Sequence, residues 1–130
     1  MKKTLLLFLM FSPLNSLGQQ LECCESEKNV ETYLSGNWMI KDSDLKRQYS
    51  YRFNDGVGKF LIYEIKENGS LEDINENQPT LKILKKKNGF EIEHDFGVLK
   101  TYTKIKHLDS IKLIVARHDG SEKEYYKVSE

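Results

Sequence analysis

What this chain has little of sets the first limits. Its 130 residues hold only two cysteines, and these are neighbours, Cys23 and Cys24. Adjacent cysteines cannot tie distant parts of a fold together. A bond between them closes a strained ring, so no structural disulfide is expected. Long apolar runs are missing too. The clearest, Leu5 to Phe11, is far short of the roughly 20 residues a membrane-spanning helix needs. An excess of one charge is also absent, with 20 basic and 20 acidic residues. A balanced surface argues against nucleic acid and against anionic membranes as partners, since both favour strongly basic faces.

What is present begins with the N-terminus. Lys2 and Lys3 precede the apolar run, Ser12-Pro13 ends it, and Ser16 and Gly18 put small residues at −3 and −1 of a cleavage point. This pattern predicts a secretory signal peptide over 1–18 and a secreted or periplasmic protein. The remaining chain is expected to comprise a flexible tail over 19–31 and one β-domain over 32–130. Two of the basic residues fall in the leader, leaving 18 against 20 acidic ones and a net charge of −2. Three readings of the cysteine pair stand. Cys23 carries a lipid anchor, as in bacterial lipoproteins, although Glu22 occupies the place of the small residue expected before it. The pair makes an intermolecular disulfide in an oxidising compartment. Or it lies in a mobile tail with no part in the fold.

From Trp38 onward nearly everything reads as strand. One short helical turn is expected around Asn29–Leu34, and no helix of ten residues. Tyr49, Tyr51 and Phe53 alternate with polar residues, the period of a half-buried strand. Phe60 to Ile65 follows as a richer apolar strand. Glu67 to Pro79 reads as a long polar loop, with Leu71 and Ile74 dipping back. Leu81 and Ile83 precede a further strand carrying Phe90, Ile92, His94 and Phe96. Leu99, Thr101, Thr103 and Ile105 alternate next, then Ile111 to Ala116 reads as a core strand, and Glu124 to Val128 closes the series. Asp55-Gly56, Asn88-Gly89 and Asp119-Gly120 mark hairpin turns. About eight short strands and no helical crossover predict an all-β, antiparallel up-and-down meander barrel. Eight strands enclose just enough room for side chains or one small ligand.

Leu34-Ser35-Gly36-Asn37-Trp38, then Tyr51-Arg52-Phe53-Asn54-Asp55-Gly56, the Leu108-Asp109-Ser110 turn with Ile111 to Leu113, Asp119-Gly120 and Tyr125-Tyr126 resemble the small bacterial lipocalin-like domains. Gly36-x-Trp38 is similar to the first signature of true lipocalins. The resemblance spans about Thr32 to Val128. It implies a barrel that binds an apolar ligand. The chain is shorter than true lipocalins and lacks a second signature of the Thr-Asp-Tyr type. Physically, Gly36 and Trp38 read as a plug at one barrel end. The indole N–H there needs an acceptor. A cation from a late strand, Arg117 or Lys127, is expected to cover the ring, with Arg117 assigned to the plug.

No catalytic constellation is legible, and neither an enzyme nor a cofactor or metal is expected. His94-Asp95 and His118-Asp119 look like dyads, but neighbours on a strand face opposite ways. The cysteines have no fixed base beside them. No carboxylate pair sits in an apolar setting that would split its pKa values. Lys85-Lys86-Lys87 reads as a solvated strand edge that resists aggregation. The aromatic residues carry the functional signal. Tyr49, Tyr51, Phe53, Tyr63, Tyr102 and Tyr126 are candidates to line a barrel interior suited to a small apolar or amphipathic ligand. The competing reading is a filled barrel serving as a protein-interaction or envelope accessory module. Interior volume separates the two.

Overall fold

The structure, a computed structural model, describes residues 21–128. The expected signal peptide, 1–18, and the first two residues of the expected tail lie outside them. Beyond a helix α1 (Glu27–Leu34) the described residues form nine strands: β1 (Gly36–Ile40), β2 (Arg47–Asn54), β3 (Val57–Ile65), β4 (Leu71–Asp73), β5 (Thr80–Lys86), β6 (Gly89–Asp95), β7 (Lys100–Leu108), β8 (Lys112–Ala116) and β9 (Glu122–Val128). Eight of them close an antiparallel barrel. β1 pairs β2, β2 pairs β3, β3 pairs β5, and β5 to β9 follow in order. β9 returns to β1 through Asn37↔Val128 to Ile40↔Tyr125. The expected meander barrel is therefore the observed fold.

β4 stands outside that circuit. It folds back on the far half of β3, Tyr63↔Asp73 to Ile65↔Leu71, and β3 meets β5 only at Gly58 and Lys59. The stretch expected to be all loop thus contains a strand. Asn75 Oδ1 anchors its return by accepting the Ile62 N–H at 2.6 Å.

Turn chemistry sets the connections. Asp55 and Gly56 take φ of 53° and 84°, the paired positive values of a two-residue hairpin turn matched to strand twist. The Asn88-Gly89 turn is displaced by one residue. Lys87-Asn88 forms the loop, and Gly89 opens β6 at φ 131°. Three apolar residues expected in strands, Phe96, Leu99 and Ile111, are exposed in turns. Side-chain carboxylates compete with the ladder there. Asp95 Oδ1 accepts the Gly97 N–H, and Asp109 Oδ1 accepts those of Ile111 and Lys112.

α1 covers one barrel end. Ser26 caps it by accepting the Asn29 N–H at 3.2 Å, and Asn29 Oδ1 accepts the Glu25 N–H in return. Val30 and Leu34, four residues apart on one helix face, are wholly buried with Trp38, Ile92, Ile105 and Leu113. The single helical turn expected is thus a full helix of eight residues.

The described part of the expected tail packs against the barrel. Leu21 and Cys24 belong to the core, and Lys85 Nζ donates to the Glu25 carbonyl at 2.7 Å. Lys85 to Lys87 are exposed as expected, and beyond Leu81 β5 is paired on one side only, by β6. Cys23 and Cys24 are joined to each other by a disulfide, against the expectation of no structural bond. A turn closed by the Cys24 N–H on the Leu21 carbonyl sets the two side chains together, and Cys24 is buried there. Each sulfur is occupied by the other, which leaves neither for a partner chain or a lipid in this state.

Candidate functional site

The barrel has two unlike ends. At the closed end, Trp38 is fully buried and its Nε1–H donates to the Leu34 carbonyl at 2.8 Å. Lys127 Nζ lies 4.9 Å from the Trp38 ring centre. The same ammonium donates to the carbonyls of Tyr33 at 2.9 Å and Ser35 at 3.2 Å. A cation from β9 thus neutralises the C-terminus of α1, whose own last turn has no basic residue. Desolvation lowers the Lys127 pKa. Gly36, at φ 138°, permits this approach; a Cβ there would stand 3.2 Å from Lys127 Cε. The plug is therefore Gly36, Trp38 and Lys127. Arg117, assigned to it from the sequence, lies at the other end, because β8 runs from the closed end to the mouth while β9 runs back.

The mouth holds a cavity of about 220 Å³. Tyr49, Tyr51, Phe60, Val115 and Tyr125 supply most of its walls; His94, Thr103, Arg117, Ser121 and Lys123 add polar groups. The rings are packed against one another. Tyr49 stacks on Phe60 at 5.9 Å between centres and meets Tyr125 edge-on at 5.7 Å; Tyr51 lies 5.0 Å from Phe60. Two larger surface grooves, of about 630 and 480 Å³, flank the disulfide segment. Leu21, the first described residue, forms part of both walls. The mouth is bounded wholly by strands and their turns, and is the better-defined hollow.

The structure sorts the six candidate lining residues. Tyr49 and Tyr51 line the cavity. Phe53 faces inward but packs over Gly58, below it: a Cβ on Gly58 would fall 2.4 Å from the Phe53 ring. Tyr63 sits on the outer face, out of step with Phe60 and Ile62. Tyr102 and Tyr126 also point outward, 42% and 47% exposed. For β9 the error is one residue: Tyr125 is the inward member of the pair, registered with Ile40 and Leu113. A one-residue slip exchanges faces along a whole strand. Phe60, Val115, Ser121, Lys123 and Tyr125 were missed as lining residues. Counting from Leu113 across a two-residue Asp119-Gly120 turn would have put Tyr126 inside; the loop has three residues, His118 to Gly120, and that extra residue brings Tyr125 opposite Leu113.

Burial shapes the titration of the site. It pushes the Tyr51 hydroxyl far above its usual range, with Tyr125 adding to the shift. Tyr125 is pushed up to about 12, first by burial and then by Tyr49. Both are neutral hydrogen-bond donors at physiological pH. His94 faces inward with Nε2 3.3 Å from Thr103 Oγ1, and desolvation lowers its pKa, which favours the neutral ring. The other histidines lie elsewhere. His107 contacts Asp109 at 2.8 Å beside the closed end, and His118 lies in the β8–β9 turn. Among the described residues, no three His, Cys, Asp or Glu side chains are grouped to hold a metal, and no helix is long and apolar enough to cross a membrane.

No known protein family, curated protein or solved structure matches the chain.

Proposed function

We propose that the protein is a lipocalin-like, non-catalytic binding module that takes a small apolar or amphipathic ligand into the mouth of its barrel. The observation that carries this reading is the contrast between the two halves of the interior. The closed half is filled around Trp38, Ile92, Ile105 and Leu113. The other half keeps about 220 Å³ open above an aromatic floor. That volume is below the roughly 300–1,000 Å³ of drug-sized pockets. It has room for about seven water-sized groups at about 30 Å³ each, so a longer ligand would extend past the rim. The bonded cysteine pair and the leader pattern support a secreted or periplasmic location.

A second reading, a filled barrel acting as an envelope accessory module, draws on the completeness of the packed half. Its working surface would be the segment around β4 or an outer sheet face. Native mass spectrometry of protein purified from its exporting host, followed by amide NMR titration with short-chain amphiphiles, decides between them. A retained small molecule, or shifts confined to Tyr49, Phe60, Val115 and Tyr125, supports the binding reading. An empty protein with no mouth shifts for any probe overturns it.

A further inference from the structure

The polar groups of the mouth are all donors, or can be, and the wall holds no carboxylate. Arg117 and Lys123 both line the cavity, and among the described residues neither makes an ion pair. Glu122 and Glu124 alternate to the outer face of β9, where Glu124 meets Lys41 at 3.7 Å. Asp119 lies in the adjoining turn and feels the charge of Arg117. Its Oδ1 is already taken by the N–H and hydroxyl of Ser121, at 2.9 and 2.7 Å. The hydroxyls of Tyr49, Tyr51 and Tyr125 have no hydrogen-bond partner among the described residues, yet no buried side-chain polar atom is left unsatisfied. These oxygens therefore open onto the cavity. Hydroxyl donors, two unpaired cations and an aromatic floor share one hollow.

Resting on the binding reading above, we infer that the ligand is an amphipathic anion, its headgroup held by Arg117 and Lys123 at the rim and its short apolar part lying on Tyr49, Phe60 and Val115. Arg117 offers the planar fork that matches a carboxylate or phosphate, and Lys123 a point charge beside it. Tyrosine hydroxyls add donors that need no proton change to serve. An uncharged chain of the same length would gain the aromatic contact but leave both cations unanswered. A cationic one would be repelled.

The test titrates the whole secreted chain with octanoate, 1-octanol and octylammonium at low salt, read by amide NMR and calorimetry. The inference expects octanoate to bind in the mouth about tenfold more tightly than octanol, the gain of a charge-assisted contact. It also expects no uptake of octylammonium and weaker octanoate binding as salt rises. The double variant R117Q/K123Q should lose that tenfold preference, binding octanoate no more tightly than octanol. Equal binding of all three probes, or octanoate binding indifferent to R117Q/K123Q, overturns the anion inference and leaves the binding module standing. No binding of any probe overturns the binding module itself.

Discussion

The ammonium of Lys127 lies over the Trp38 ring, 4.9 Å from its centre, while donating to the two carbonyls that flank the end of α1. One side chain thus joins the first strand, the last strand and the helix. Removing its charge breaks all three connections at once. Lys127→Met keeps the apolar stem and should cost about 1–2 kcal/mol, the worth of a partly desolvated cation–π contact. Thermal unfolding should fall by several degrees. Arg117→Met, at the opposite end, should stay within about 0.5 kcal/mol of the parent, as exposed substitutions do. Equal effects of the two variants would remove Lys127 from the plug.

Phe53 lies flat across Gly58, its cross-strand partner. An added Cβ would meet the ring at 2.4 to 2.9 Å, and an aromatic ring fixed in a core cannot swing away cheaply. Gly58→Ala should therefore destabilise by about 1–3 kcal/mol through overpacking. Pairing it with Phe53→Leu should restore part of the loss, giving a clear coupling in a denaturation double-mutant cycle. Strict additivity would show that the glycine answers to something other than the ring.

The barrel was readable because its signals are local. Alternation at Tyr49-Tyr51-Phe53, the Asp55-Gly56 turn and the absence of helical crossovers each act within a few residues, and together they leave little but a meander. The identity of the inward tyrosines depends on register, which is set across strands. In Tyr125-Tyr126 either residue satisfies the sequence pattern, and only pairing with Ile40 and Leu113 chooses. Tyr102 was decidable: the alternation that puts Ile105 inside already puts Tyr102 outside. β4 is short, and it is held by pairing to β3, by the side-chain bonds of Asn75 and by a Lys66–Glu72 ion pair, so polar composition alone reads it as loop. The choice of Lys127 over Arg117 followed from which end of a hairpin faces the helix, a matter of topology rather than of residue type.

The Cys23–Cys24 bond closes the smallest of loops, so it removes little freedom from the unfolded chain. Loop-closure entropy gives about 1 kcal/mol for such a ring, against about 3 for fifteen residues. Reduction should lower the melting temperature by a few degrees, as a loss of about 1 kcal/mol does in a domain of this size, and raise hydrogen exchange around Leu21 to Glu25, where Cys24 is buried. Intact mass of the purified protein should be lighter than its reduced form by one pair of hydrogen atoms. A diacylglycerol adduct on Cys23 would instead show that a lipid holds the sulfur in the exported protein.

His94 makes stability depend on pH in a predictable direction. Desolvation lowers its folded-state pKa below the ordinary 6.5, so the unfolded chain takes up the proton first. Above 6.5 both states are neutral at this site and it contributes no pH dependence. As pH falls through 6.5 toward the lowered folded value, the unfolded state gains protons the folded state does not, and stability declines. His94→Gln keeps a group able to bond Thr103 but cannot titrate. Its unfolding free energy should be flatter than the parent's between about pH 6.5 and 5, with little difference at pH 8. Parallel curves for the two proteins across that window would show that His94 reaches solvent and titrates as it does in the unfolded chain.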